Sequence, residues 1–312
     1  MERTSADGQN SPDIPAFVQF TLACAYEHTW LGQRPRTLDD EVIAALRATG
    51  VFRSFVPAEY GGYEIDLDLF VDIGTAVAEA CPSTGWITTF YMEHNWLLGR
   101  FPAELREELL GSQPYVLAPG SVNPSGRAVE HDDHYELSGH WQFGTGITHA
   151  DWVLLSGMVE GQVGVPRLFI APVDDVEVKD TWHVDGMSAT GSNDIIAESV
   201  VVPKHRVSLL PDELAALDDQ SYLARIPLRP MLSLTAAIPA VGCAKRAVTL
   251  FRARLRERVM FGSTKTQAQL DSTAFRLADL AGRAAMAEAC LLDVARYLTD
   301  VGRGRAEASD LD

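Results

Sequence analysis

His94, Asn123, Thr145 and the triplet Thr190-Gly191-Ser192 are the residues whose types and settings suit chemistry. An imidazole titrates near neutrality, so His94, between Glu93 and Asn95 in a stretch carrying Trp86, Phe90, Trp96 and Leu97, can hold a hydroxyl or take its proton. A histidine satisfied inside a core is the equal alternative. Asn123, in the turn "SVNPSG", offers a side-chain amide, although Asn before Pro also simply forms turns. In "WQFGTG", Trp141 and Phe143 are bulky walls, and Gly144 and Gly146 let backbone amides approach a flat ligand closely. On the residues alone, a strand packing Trp and Phe into a core before a Gly-rich turn is preferred. The Thr190–Ser192 loop, after Trp182, presents N–H groups to a phosphate or ring edge, or closes a simple turn. Arg258 ends a run with Arg252, Arg254 and Arg256, which reads as an anion-binding fork or a solvated helix face. "HDDH", His131 to His134, lies between two expected strands without a further ligand cluster and is read as a polar turn, not a metal site. No Ser-His-Asp or P-loop pattern occurs, and "GQVGVP", Gly161 to Pro166, is a hairpin turn.

The elements that must position these residues follow from periodicity. In Thr37–Gly50, Thr37 is expected to cap the first turn with Asp40 in capping-box position, Val42, Ala45, Leu46 and Thr49 share a face, and Gly50 suits a left-handed end. Leu67–Ala80, Ser83–Leu98 and Pro102–Leu110 are further helices. Strands are expected at Tyr115–Ala118, Tyr135–Ser138, Trp152–Met158, Arg167–Ala171 and Ser199–Val202, as a small barrel or sandwich. After Pro211 helix returns, and Leu270, Leu277, Ala284, Leu291 and Leu298 fall at heptad spacing as a bundle seam, thickened by Ala274, Ala281 and Ala295. The fold class is α+β in three units: an N-terminal helical domain (1–114), a central β domain (115–207) and a C-terminal helical bundle (208–312).

Composition bounds the partners. A formal net charge of −17, from 26 basic against 43 acidic residues, argues against nucleic acid and anionic membranes. The four cysteines, Cys24, Cys81, Cys243 and Cys290, form no C-x-x-C pair and sit among Ala and Leu as small buried hydrophobes. Met1–Pro15 lacks the charge and apolar run of a secretory signal, so a reducing, cytoplasmic setting is expected. Met231–Ala244 is the longest apolar stretch and, shorter than the ~20 residues of a span, is expected to be a buried helix.

Seven segments carry a family resemblance: "FVPAEYGG" (Phe55–Gly62), "STGW" (Ser83–Trp86), "HNWLLGRFP" (His94–Pro102), "LSGHWQFGTG" (Leu137–Gly146), "GMSATGSND" (Gly186–Asp194), "VVVPKHRV" (Val200–Val207) and "RVMFG" (Arg258–Gly262). In this order they resemble the acyl-CoA dehydrogenase superfamily from about Thr37 to Ala295. "STGW…HNW…FP" and "NPSGRA" (Asn123–Ala128) are closer to its two-component reduced-flavin monooxygenases. The resemblance implies an oxygenase component that takes reduced FMN or FAD from a separate reductase, combines it with molecular oxygen as a flavin hydroperoxide, and hydroxylates an aromatic or polyketide-like small molecule. Such chemistry needs a dry pocket. By the same resemblance Thr145 lies near flavin N5 and His94 faces the substrate, with Asn123 beside flavin or hydroperoxide. Trp141, Phe143, Gly144, Trp182, Thr190, Gly191 and Ser192 are then flavin-contacting residues. Arg258, with Phe261, Gly262 and Gln269, reaches the flavin phosphate, often from a neighbouring subunit, so a homo-oligomer (dimer or tetramer) is implied.

The sequence departs from that pattern at its end, since family members continue beyond the equivalent of Asp312 with helices that usually bring a second active-site histidine. Either the chain is truncated or another subunit completes the bundle, and the seam after Gln267 is expected to drive association or instability. Two other functions compete. An acyl-thioester dehydrogenase using FAD needs a carboxylate base, for which no residue here has a family match. A non-catalytic scaffold would not need Thr145, His94 and Arg258.

Overall fold

A computed structural model describes residues 36–162, 164–209 and 221–308. Met1–Pro15, Cys24 and the start of the expected helical return at 211–220 lie outside them. Among the described residues four α-helices come first: α1 (Asp40–Thr49), α2 (Leu67–Ala80), α3 (Pro82–Leu98) and α4 (Ala103–Leu110). Seven strands follow: β1 (Gly120–Glu130), β2 (His134–Gly144), β3 (Trp152–Val159), β4 (Arg167–Pro172), β5 (Glu177–Lys179), β6 (Asn193–Pro203) and β7 (Val207–Leu209). Two long helices, α5 (Leu228–Glu257) and α6 (Asp271–Gly302), complete the described chain.

Local chemistry explains most boundaries. Gly50 ends α1 at φ 75°, a left-handed position that glycine occupies without steric cost. Thr37 does not cap that helix. Asp39 is the N-cap but makes no side-chain capping bond, while Thr37 Oγ1 meets Thr148 and His149 across the fold. Pro82 supplies the preset φ of a first helical turn to α3.

The strands form one mixed sheet in the order β5-β6-β2-β1-β3-β4-β7, antiparallel except for the β1–β3 pair. β3 and β4 are buried on both faces, because alternate residues enter different cores. Val153, Leu155 and Phe169 join Trp141 and Ile195 inside the sheet, whereas Leu154, Leu168 and Ile170 join Phe52, Phe70 and Trp96 of the helical core. That alternation accounts for the apolar run Trp152–Leu155 in β3.

Several expectations need correction. Tyr115–Ala118 is extended but joins no ladder, because side chains replace a strand partner: Asn95 bonds both backbone groups of Val116, and Asp151 accepts from Leu117 N–H. Asn123 lies not in a turn but in β1, where register breaks between Ser121 and Gly126 and Pro124 has no N–H to offer a ladder. Met231–Ala244 continues through Pro239 as part of the 30-residue α5, which is long and apolar enough to cross a membrane by length and composition. Its buried Met231, Leu234 and Ile238 belong instead to the chain's own helical core. Cys81 is half-buried, and Cys243 and Cys290 are exposed free thiols rather than core residues.

The heptad seam is met in part. Ala284 and Leu298 are buried and Leu277 and Leu291 half-buried, but Leu270 precedes α6, and Ala274 and Ala281 are exposed. Phe261, Phe275 and Met286 leave large apolar surface uncovered on the α5–α6 hairpin.

Candidate functional site

Trp86, Phe90 and His94 recur every fourth residue of α3 and therefore share one face. Trp86 and Phe90 stack with centroids 5.6 Å apart, and Phe90 lies 4.1 Å from the His94 ring. From Ser83 to Leu98, only these two aromatics are not fully buried, so this stripe borders the open side of an otherwise enclosed helix.

At one end of the stripe, Trp86 Nε1 donates to Thr145 Oγ1 at 3.0 Å. Thr145 Oγ1 is 3.1 Å from Ser192 Oγ, which is 2.8 Å from Thr190 Oγ1. Three buried hydroxyls, one from the residue that follows β2 and two from the 190–192 loop, thus form one hydrogen-bonded string. Backbone bonds hold the strand end to that loop and to α3: Gly146 N–H donates to Thr190 O at 2.8 Å, and Tyr91 OH donates to Gly146 O at 2.6 Å. Gly146 adopts φ 76°, and a Cβ there would lie 2.6 Å from the Tyr91 hydroxyl.

At the other end, His94 Nδ1 is 2.5 Å from Ala118 O. A carbonyl only accepts, so Nδ1 carries the hydrogen and Nε2 is left as an acceptor. Its nearest acidic neighbour is Glu93 Oε2, 3.7 Å away. Burial pushes His94 down to about 4, against the opposing pull of the Ala118 bond, and pushes Glu93 up to about 8. Both groups are neutral at pH 7. Gly120 permits this approach, since a Cβ there would lie 2.5 Å from Leu154 O and 3.2 Å from His94 Cε1.

These shifts act oppositely on stability. Glu93 is raised from 4.5, so its contribution is complete below about 4.5 and is lost as pH rises toward 8. His94 is lowered from 6.5, so its contribution is complete above about 6.5 and is lost as pH falls toward 4. Glu93→Gln is therefore expected to flatten the alkaline limb. Thermal melts of wild type and variant at pH 6.5 and 8.5 should show wild type losing a few kcal/mol that the variant keeps.

The remaining expected site residues divide. Trp141 does not wall a cleft: it is fully buried inside the sheet and donates to Ser156 O at 2.8 Å. Phe143 takes the outward place because β2 breaks register between Trp141 and Gly144, with Phe143 at φ 67°, a conformation costly for a non-glycine residue. Its ring meets Trp182 edge-on at 6.0 Å. Asn123 and Phe143 border an open cavity of about 290 Å³ with Ser121, Ser125, His140 and Gln142. Arg258, Phe261 and Gln269 are not brought to the Thr145 string. They lie on the α5–α6 hairpin, where Phe261 is fully exposed and the Gln269 side chain accepts from Thr266 N–H at 2.8 Å as half of a capping box. At "HDDH" a third ligand type does approach, since donor atoms of His131, His134 and Glu136 lie within 4.8 Å of one another. The two rings stack face to face, and His134 Nδ1 is bound to Asp133 at 2.7 Å.

Trp86 and His140 were missed as site residues. Trp-x3-Phe-x3-His was a readable signal for the first, because that spacing on a helix makes one stripe. His140 had none, since its partner Asp194 is remote in sequence.

Residues 234–311 match the family described as "Acyl-CoA dehydrogenase, C-terminal domain". A pigment production hydroxylase of Rhodococcus sp. is 34% identical over 226 residues, covering 70% of this chain and 58% of the relative. The oxygenase component of an FADH2-dependent resorcinol hydroxylase of Rhizobium sp. is 32% identical over 268 residues, covering 81% of this chain and 66% of the relative. The chain thus spans less than two thirds of the length of these relatives. Among solved structures, XiaF from Streptomyces sp. in complex with FADH2 and glycerol superposes with TM-score 0.87 at 26% identity, covering 94% of this chain and 76% of that one. The HsaA monooxygenase of M. tuberculosis gives TM-score 0.82 at 27% identity over 96% of this chain and 77% of that one.

Proposed function

We propose that this chain, which belongs to the acyl-CoA dehydrogenase superfamily and groups with the oxygenase components of flavin-dependent hydroxylases, hydroxylates an aromatic or polyketide-like small molecule with reduced FMN or FAD and molecular oxygen. A separate reductase supplies the reduced flavin, as the two-component character of the relatives supports. The observation that carries this reading is the aromatic stripe of α3, which joins the buried hydroxyl string at Thr145 to the neutral imidazole of His94.

The residues suit a flavin. A polar ring edge needs hydroxyls and backbone groups at close range, and Thr145, Thr190 and Ser192 supply them beside Gly144 and Gly146, where a Cβ would collide with neighbours. Phe143 and Trp182 supply aromatic edges nearby. Bound reduced flavin would supply the electrons that activate oxygen. The chain does the rest: Thr145 orients the ring edge, Trp86 and Phe90 exclude water, and His94 Nε2 accepts a hydrogen bond from the substrate hydroxyl. Because burial keeps His94 uncharged, it receives that hydrogen without first shedding a proton.

The exposed free thiols support a reducing, cytoplasmic setting. The apolar side chains uncovered on α5 and α6 support association of copies into a homo-oligomer.

The test is anaerobic titration with reduced and oxidised FMN and FAD, then mixing with oxygen and a panel of phenols. The expected result is preferential binding of reduced flavin and an oxygenated product. Bleaching of tightly held FAD by an acyl-CoA would mark a dehydrogenase, and failure to bind any flavin would leave only a scaffold.

A further inference from the structure

His140 and Asp194 form a pair that the mechanism above does not use. His140 projects from the outer face of β2, and its Nε2 lies 2.7 Å from Asp194 Oδ2 on β6. The Asp194 side chain is only 9% exposed, whereas that of His140 is 49% exposed. Asp194 is held in place from behind, its backbone N–H donating to Thr181 Oγ1 at 3.0 Å. A carboxylate only accepts, so Nε2 carries the hydrogen. In the tautomer that donates from Nε2, Nδ1 is an acceptor, and this nitrogen has no hydrogen bond to a described residue.

The ring borders the cavity of about 290 Å³, whose other lining residues are Ser121, Asn123, Ser125, Gln142 and Phe143. All five are uncharged. An anion would find no cation in that lining and would meet the Asp194 charge behind the imidazole. A ring bearing a hydroxyl would find an acceptor for its O–H, an aromatic edge in Phe143, and amides and hydroxyls for further polar groups.

We infer that His140, oriented by Asp194, is a positioning residue that accepts a hydrogen bond from a hydroxyl of an uncharged hydroxylated aromatic substrate. This rests on the functional reading above for the identity of the substrate class. It differs from the part given to His94, which is enclosed and bound through Nδ1, because His140 faces an open cavity.

The test uses the full chain with and without reduced FAD, and measures binding of phenol, resorcinol and 2-naphthol against anisole, 1,3-dimethoxybenzene and 2-methoxynaphthalene. At least one hydroxylated probe should bind about tenfold more tightly than its ether. His140→Phe should bring that ratio to about one, and His140→Gln, which keeps an acceptor oxygen, should retain part of it. Asp194→Asn should lower the ratio by about threefold, since an amide can donate to Nε2 and release the other tautomer. Unaltered melting temperatures would separate positioning from folding. An unchanged ratio in His140→Phe, or no hydroxyl preference in wild type, overturns the assignment. Flavin affinity is read separately, so its absence beside an intact hydroxyl preference would remove the monooxygenase reading alone.

Discussion

His94→Asn is expected to leave a folded protein that binds reduced flavin but forms hydroxylated product at least about 100-fold more slowly, within the range for loss of a positioned proton acceptor. The choice of Asn is deliberate. Its amide N–H falls close to the position of Nδ1 and can still donate to Ala118 O, whereas nothing replaces Nε2. Alanine would be a poorer test, because an unpaired buried carbonyl costs about 1–3 kcal/mol by itself. His94→Gln, which places an acceptor near Nε2 and gives up the Ala118 bond, should invert the pattern, with lower stability and partly retained activity. Product yield per reduced flavin oxidised, measured beside thermal unfolding, checks both. Equal activity in His94→Asn and wild type would remove His94 from the chemistry and leave it a core residue.

Gly85→Val should abolish the native fold. A Cβ at Gly85 would stand 2.5 Å from Ala78 Cβ, 2.6 Å from Ala78 Cα and 2.8 Å from Ala78 N, so it strikes the backbone of α2 rather than a flexible side chain. α2 cannot retreat, because Gly242 of α5 meets the same Ala78, where a Cβ would lie 2.6 Å from Ala78 Cβ and 2.6 Å from Thr75 O. Three helices thus converge on one alanine between two glycines, and glycine's cost inside a helix is offset by that contact. The milder Gly85→Ala should cost about 3 kcal/mol through overpacking, lowering Tm by roughly 6–10 °C. Gly85 immediately precedes Trp86, so displacement of α3 would also disturb the bond to Thr145. Circular dichroism melts and the flavin affinity of Gly85→Ala measure the two effects together. A wild-type melt for Gly85→Val would show that the α2–α3 contact is loose.

Helix and strand identity were largely legible in the residues, because periodicity is a local property. α2, α3, β3 and β4 begin and end close to where apolar spacing and the flanking turn residues place them. Gly50 announced its left-handed end for the same reason. Part of the site was legible as well. Thr145, Thr190 and Ser192 stood in segments that resembled a known family, and the structure brings their hydroxyls into one string.

What the residues alone left open was direction and partnership. Trp141 and Phe143 are both aromatic and two apart, so strict alternation would turn them to the same face. The break in register at the end of β2 sends one into the core and the other outward. Tyr115–Ala118 has strand-like residues yet no ladder, because Asn95 and Asp151 reach it from distant parts of the chain. The acid–base character of His94 was equally nonlocal. Its type promised titration near neutrality, and enclosure by α3, Ala118 and Gly120 moved it far below. Sequence determined which residue types were available and the local rhythm that makes helices and strands. Tertiary structure decided which face each side chain shows and how much water it keeps, because burial and long-range hydrogen bonds exist only once separate elements meet.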